Sequence, residues 1–221
     1  MKLFLDSAKV DEIQHALEHW ALDGVTTNPR HVAATGKPAV EVYAEIAQLV
    51  QGTDLPVSVE VDPELECWHE IVQQAEELAR MSPNFVIKVG ASEQGFRAIR
   101  ELNHRGVRTN ATLIFTLAQA WHAARAGATY ISPFVGWREE FGDAGLELLR
   151  QVRTMLDNYG YSSQIIAAAM RNPRQIAEAA LAGCHCVTAG KAVYEQSFNN
   201  PFTDLGVQRF AQAYRKTLAP A

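Results

Sequence analysis

Lys88 stands in the middle of an apolar run, Asn84-Phe85-Val86-Ile87-Lys88-Val89-Gly90. An extended chain alternates its side chains, so Val86, Lys88 and Gly90 share one face while Phe85, Ile87 and Val89 share the other. The second face is apolar and suits packing beneath helices, which leaves Lys88 pointing into whatever the first face encloses. Two readings follow. A lysine at a strand end snorkels, with its stem along apolar surface and its ammonium in water. A buried lysine gives up its proton readily, and a neutral amine is the nucleophile that forms a Schiff base with a carbonyl.

Other strand-like runs carry polar groups on a matching parity. Lys2, Phe4 and Asp6 oppose Leu3 and Leu5, and Ser58 and Glu60 alternate with Val57, Val59 and Val61. Asn110 and Thr112 alternate with Ala111 and Leu113, and Ser132 and Phe134 with Ile131 and Pro133. A lone strand-end carboxylate such as Asp6 or Glu60 has a plain reading, satisfied by nearby backbone. Acids, an amide, hydroxyls and a lysine on one parity are harder to dismiss, because burying them costs stability unless each is paired. Their chemistry is coherent. A Schiff-base lysine works with a carboxylate that moves protons, a hydroxyl that holds a water, and donors for a ketone and its hydroxyls.

The elements that must position these groups alternate along the whole chain. Strand patterns cover residues 3–5, 24–26, 57–61, 85–89, 108–114, 129–134, 165–168 and 185–188. Helical spacing falls between them, through Val10, Ile13, Leu17 and Trp20, over 38–50, and from Pro63 through Ile71, Ala75 and Leu78. It recurs through Phe96, Ile99 and Leu102 up to Gly106, from Leu117 to Gly127, over 146–156, over 173–181 up to Gly183, and in a last helix over about 202–218. Repeated strand, helix and Gly-rich turn mean parallel βαβ units. About eight of them in residues 1–221 predict an α/β protein, a single (β/α)8 TIM barrel domain with an extra C-terminal helix. An open doubly wound sheet is the alternative, but it would more often have a Gly-rich phosphate turn after its first strand, and Asp6-Ser7-Ala8 has none. The Gly-Lys pairs at Lys37 and Lys191 lack the spacing of a P-loop. In a barrel, the polar parity set projects inward near the C-terminal strand ends, where barrel sites are built.

Composition narrows the classes. The chain has 221 residues and a formal charge of -5, with no Lys/Arg-rich run, which argues against a nucleic-acid partner. No apolar run is long enough to span a bilayer, and residues 1–6 enter a strand pattern directly without a signal-peptide build, so no membrane partner and a cytoplasmic location are expected. Cys67, Cys184 and Cys186 fit reduced thiols there. Cys184-His185-Cys186 would need Cys67 and His69 to complete a zinc site, and buried core thiols are the preferred reading, so no metal is expected.

Four stretches taken together resemble the transaldolase family: Gly24-Val25-Thr26-Thr27-Asn28-Pro29, Val86-Ile87-Lys88-Val89, Thr109-Asn110-Ala111-Thr112-Leu113-Ile114-Phe115 and Ser132-Pro133-Phe134-Val135-Gly136. Their order and spacing are similar to the short-chain branch, which includes the fructose-6-phosphate aldolases. The resemblance covers nearly the whole chain, with Arg171-Asn172-Pro173 and the final helix. It implies a (β/α)8 barrel and a reaction without cofactor. By that resemblance Lys88 attacks the ketone of a ketose phosphate, cleavage between C3 and C4 releases an aldehyde, and a dihydroxyacetone unit held as an enamine passes to another aldehyde. Asp6 matches the acid/base carboxylate, and Glu60 with Thr112 the pair that holds the catalytic water. Asn28, Asn110 and Ser132 match residues around the dihydroxyacetone hydroxyls, Thr26 belongs to the same substrate-binding set, and Arg171 matches a phosphate-binding base. The aldolase branch tends to carry Gln at Glu60 and Tyr at Phe134. Both positions are therefore transaldolase-like, since a tyrosine hydroxyl would help protonate and release free dihydroxyacetone. The resemblance also implies a ring-shaped homo-oligomer, pentamer or decamer, with the last helix on a neighbour. The apolar stripe Phe202, Leu205, Val207, Phe210 and Tyr214 would serve equally on its own barrel.

Three departures cluster where the substrate's anionic end would sit. Trp137 stands where the family usually has Arg, with Arg138 following; Ala169 replaces a Ser; Arg30 and His31 replace Ser and an aliphatic residue. One expectation is a rebuilt anion pocket using Arg30, His31, Arg138 and Arg171, suited to a sulfonate or a differently placed phosphate. The other is neutral drift, with Arg138 swinging in for the missing arginine. The favoured function is a transferase moving dihydroxyacetone from an anionic ketose donor to an aldehyde acceptor. An aldolase using free dihydroxyacetone and a non-catalytic sugar-phosphate-binding barrel are the alternatives.

Overall fold

Eight parallel strands close on themselves, each paired with the next and the eighth with the first. The computed structural model describes residues 1–218. In chain order the elements are β1 (Lys2–Asp6), α1 (Val10–His19), β2 (Gly24–Thr26), α2 (Pro29–Ala33), α3 (Ala39–Leu49), β3 (Val57–Glu60) and α4 (Trp68–Met81). Then come β4 (Phe85–Gly90), α5 (Glu93–His104), β5 (Thr109–Ile114), α6 (Leu117–Arg125), β6 (Tyr130–Pro133), α7 (Val135–Glu140) and α8 (Gly145–Tyr159). The chain ends with β7 (Gln164–Met170), α9 (Pro173–Leu181), β8 (Cys186–Ala189), α10 (Lys191–Phe198) and α11 (Pro201–Thr217). This is the (β/α)8 barrel with a C-terminal helix that the alternation predicts. Among the described residues no helix is long and apolar enough to cross a membrane.

The alternation of each strand divides the core in two. Outward residues such as Leu5, Val25, Val59, Ile87 and Ile131 pack beneath the helices, against Ile13, Ile46, Ile99, Leu102 and Leu149. Inward residues near the strand starts form a separate hydrophobic group inside the ring: Phe4, Val86, Tyr130, Ile166 and Cys186. The rings of Phe4 and Tyr130 meet edge on, 6.0 Å apart. Gly24 makes room for this plug. A Cβ there would lie 2.5 Å from Phe4 Cζ, so a side chain on β2 would displace the ring. The barrel is filled from below, and only its upper half is open for chemistry.

Some boundaries differ from the periodic pattern. The helix expected from Pro63 starts at Trp68. Asp62 Oδ1 accepts the Glu64 N–H at 2.9 Å and the Asp62 N–H reaches Gln74 Oε1 at 2.7 Å, which holds the intervening residues in turns. Two short helices, α2 and α7, occupy stretches without an apolar period. In α2, Asn28 caps the first turn by accepting the His31 N–H at 3.0 Å, and Pro29 occupies the first helical position. In α7, a Cβ on Gly136 would sit 2.1 Å from the Ala169 carbonyl oxygen, so glycine lets this helix lie directly on β7.

β5 and β7 carry irregularities at their upper ends. The pairing of β5 with β6 shifts between Ala111 and Ile114, and that of β7 with β8 between Ala167 and Met170. Leu113 and Ala169 sit in these shifts with φ of 57° and 59°. A left-handed non-glycine residue costs about 1–2 kcal/mol, and such bulges re-aim neighbouring side chains. α11 buries none of its residues. Phe202, Phe210 and Tyr214 are largely exposed, so the apolar stripe does not pack on its own barrel.

Candidate active site

The C-terminal ends of the strands surround a cavity of about 550 Å³. Lys88 lines it while remaining only 5% exposed. Its Nζ donates to Glu60 Oε2 and to the Thr27 carbonyl, both at 3.0 Å. The snorkelling reading fails, because the head of the side chain lies inside the ring and not in bulk water. Register explains the pairing: Glu60 on β3 lies directly beside Lys88 on β4. A buried ion pair of this kind is weak support for stability, and replacing it with apolar residues is often neutral or better. Its placement is therefore better read as chemical than as structural.

Asp6, at the end of β1, has both oxygens engaged. Oδ1 accepts from Thr26 Oγ1 at 2.7 Å, and Oδ2 lies 3.2 Å from His31 Nε2. Thr26 Oγ1 is also 2.7 Å from Thr188 Oγ1. A hydroxyl has one hydrogen, so if Thr26 donates to Asp6, Thr188 donates to Thr26. Burial pushes the Asp6 carboxyl up, but the His31 ring, the Lys88 charge and the Thr26 hydroxyl outweigh it and hold the carboxyl below the ordinary aspartate range.

Thr112 is fully buried, and its Oγ1 has no hydrogen-bond partner among the described residues. It also lines the cavity, so its hydroxyl is free to serve a water or a substrate oxygen. Asn110 lies deeper. Its Nδ2 donates to Ser58 Oγ at 3.1 Å and its Oδ1 accepts from Ser132 Oγ at 2.7 Å. Asn110 does not line the cavity, but it fixes Ser132, which does. Thr26, the register partner of Asp6, and Asn28 line the wall with it. Across from them Phe134 and Trp137 form an aromatic wall, centroids 5.4 Å apart, with Phe115 5.7 Å from Phe134. No hydroxyl is present at Phe134.

The expected anion ligands divide. Arg30 and His31 line the cavity from the first turn of α2, and Arg30 has no acidic partner among the described residues. Arg171 lines it too, with its Nε 2.9 Å from Glu140 Oε1. Arg138 does not belong to this group. It turns to Asp143, with Nε at 2.8 Å and the terminal nitrogen at 2.6 Å from Oδ2, and is absent from the cavity wall. Placing Arg138 in the pocket, as ligand or as substitute for a missing arginine, is corrected by that ion pair. Ala169 lies in the wall at the bulge of β7.

Sequence reading did not single out Thr188, whose hydroxyl extends the Asp6 chain, or Tyr194, whose phenol donates to the Phe4 carbonyl at 2.7 Å beneath it. Thr188 had a signal, since it shares inward parity with Cys186 on β8. Tyr194 sits on α10 and had none. The three cysteines lie apart from one another. Cys186 is in the lower plug and Cys184 in the outer core, and burial pushes both thiols up to about 12. Cys67 and His69 lie beyond the opposite ends of the strands, at the start of α4. Among the described residues no three His, Cys, Asp or Glu side chains gather as a metal site would require.

The chain is similar to known proteins along nearly its whole length. The sequence model of the family described as Transaldolase/Fructose-6-phosphate aldolase matches residues 3–219. A protein described as 6-deoxy-6-sulfo-D-fructose transaldolase from Priestia aryabhattai is 45% identical, covering 100% of this chain and 98% of that protein. The same description and figures hold for one from Priestia megaterium. A probable transaldolase from Thermodesulfovibrio yellowstonii is 41% identical over 98% of this chain and 99% of its own length.

Proposed function

The chain belongs to the transaldolase/fructose-6-phosphate aldolase family and is a transaldolase; from that premise we propose that Lys88 is its Schiff-base nucleophile and that its donor is a ketose with a singly charged anionic tail, a sulfonate. The observation that carries the first half is the amine of Lys88, enclosed by the barrel and 3.0 Å from Glu60. Glu60 takes the ammonium proton. Lys88 Nζ then adds to the C2 carbonyl, and loss of water leaves an iminium. Asp6 accepts the proton of the C4 hydroxyl, the C3–C4 bond breaks, and its electron pair moves into the iminium to give the enamine. The product aldehyde leaves and an acceptor aldehyde takes its place. The enamine carbon attacks it, Asp6 returns a proton to the new alkoxide, and water, held by Glu60 and the open Thr112 hydroxyl, hydrolyses the iminium. Ser132 and Asn28, both in the cavity wall, bind the dihydroxyacetone hydroxyls in this reading. Phe134 has no proton to give the enamine, which favours transfer over release of free dihydroxyacetone.

Charge count supports the tail assignment. Arg171 is already matched by Glu140, while Arg30 is not matched. The wall thus offers about one uncompensated positive charge, which suits a sulfonate better than a doubly charged phosphate. The relatives described as 6-deoxy-6-sulfo-D-fructose transaldolases point the same way. We also take the enzyme to be a homo-oligomer, because α11 exposes Phe202, Phe210 and Tyr214 where a second copy would cover them, and to work in the cytoplasm without nucleic-acid or membrane partners, in keeping with its charge of -5 and the lack of a Lys/Arg-rich run.

Borohydride reduction in the presence of the ketose should leave a mass adduct on Lys88, and its absence would remove the Schiff-base assignment. Transfer rates measured with the 6-sulfonate and the 6-phosphate ketose should favour the sulfonate. Turnover should depend on added acceptor aldehyde; full turnover without it would make the protein an aldolase.

A further inference from the structure

The sequence groups His31 with the ligands of the anionic tail, but the ring is turned toward the reacting centre. We propose that His31 is a positioning residue for Asp6, clamping the one carboxylate oxygen that Thr26 leaves free and keeping it aimed at the C4 hydroxyl. The inference rests on the assignment of Asp6 as the acid/base.

The local sequence builds the clamp. Asn28 accepts the His31 N–H at 3.0 Å and Pro29 starts the helix, so the first turn of α2 is fixed and the ring is carried over the end of β1. Nε2 lies 3.2 Å from Asp6 Oδ2, with the imidazole 35% and the carboxylate 21% exposed. Asp6 Oδ1 is held separately, by Thr26 at 2.7 Å. With one oxygen tied, a carboxylate still rocks about its Cβ–Cγ bond; with both tied from different elements it cannot.

The groups that face Asp6 are few. β2 contributes Thr26, β8 Thr188, β4 the Lys88 charge, α10 the Tyr194 phenol, and α2 His31. Of the two bases in this set, Lys88 is to be consumed in the covalent intermediate, where its nitrogen is shared with the substrate. His31 stays outside that bond and is the partner able to hold Asp6 throughout the cycle. Burial alone would push the carboxyl up; His31 is the first of the groups that offset this.

The test uses the full-length enzyme with His31→Leu, His31→Gln and Asp6→Asn, each assayed with an anionic ketose donor and with neutral fructose. His31→Leu should lower kcat about tenfold with both donors, the scale of one hydrogen bond to a charged group. The acid limb of its kcat/KM profile should move to higher pH. His31→Gln, whose amide can donate to Oδ2, should recover much of kcat. A rise in KM confined to the anionic donor, with kcat and the acid limb unchanged, would make His31 a tail ligand and overturn the proposal. Asp6→Asn separates the two levels. If it is inactive and His31→Leu behaves as wild type, the positioning role alone falls; if it is active, the acid/base assignment falls with it.

Discussion

The interior of this barrel holds two layers built on the same strands. Phe4 and Asp6, Val86 and Lys88, Tyr130 and Ser132, and Cys186 and Thr188 share their strands and their inward parity, one step of the pleat apart. That step is about 7 Å. The lower residues pack as one hydrophobic plug, while the upper ones bear charge or hydroxyl and face a cavity. In these four strands the backbone is extended through both layers. What differs is whether a side chain must find a polar partner, and each of the four upper side chains answers with a hydrogen bond. The plug excludes water from below and supplies cohesion, while the layer above is organised for reaction. Stability and chemistry are therefore separable along a single strand.

That separation can be broken from either side. Lys88→Met should lower transfer more than about 1,000-fold, with the folded state intact by circular dichroism; a comparable loss of folding would show that the upper layer is structural. Phe4→Ala, in the layer beneath Asp6, should destabilise by about 3–5 kcal/mol in denaturant melts while the folded fraction keeps its Schiff-base adduct. Gly24→Ala should cost about 1–3 kcal/mol by overpacking, and combining it with Phe4→Leu should recover part of the loss. Asp6 gives a sign-defined pH effect. Its folded pKa lies below the ordinary 3.8, so its contribution is full above that value and is lost as pH falls through the lowered one. Asp6→Asn should flatten that part of the acid unfolding curve. The smallest expected change is at the cavity mouth. Glu140→Gln frees Arg171, and should shift the phosphate-to-sulfonate ratio of kcat/KM about threefold toward phosphate, the scale of a half-exposed ion pair.

Much of this was legible in the sequence because a barrel strand reports its interior every second residue. The parity of Asp6, Glu60, Lys88, Thr112 and Ser132 led to the right face without coordinates. The same rule holds for Phe4, Val86, Tyr130 and Cys186, and only the change of residue type marks the height at which one layer gives way to the next. Helices without an apolar period, α2 and α7, were not visible as such, although Asn28-Pro29 is a helix-start signal. Side-chain direction at the mouth was not legible either. Arg138 and Arg171 read alike as nearby bases, and the local acids decide their fates: Asp143 turns Arg138 away, while Glu140 holds Arg171 at the rim. The bulges at Leu113 and Ala169 had no glycine to announce them.

The two threonines behind Asp6 make a wire with a polarity. While the carboxylate is ionised, hydrogens point from Thr188 to Thr26 to Oδ1, and loading a proton onto Oδ1 would force both hydroxyls to rotate. Loading it onto Oδ2 disturbs neither, because that oxygen keeps a second lone pair beside the one that faces His31. The traffic of protons is thereby confined to one flank of the carboxylate, and an incoming aldehyde must turn its oxygen to that flank to be served. A new carbon centre formed under that constraint is expected with a single handedness, biased by two methyl-bearing alcohols of the cavity wall.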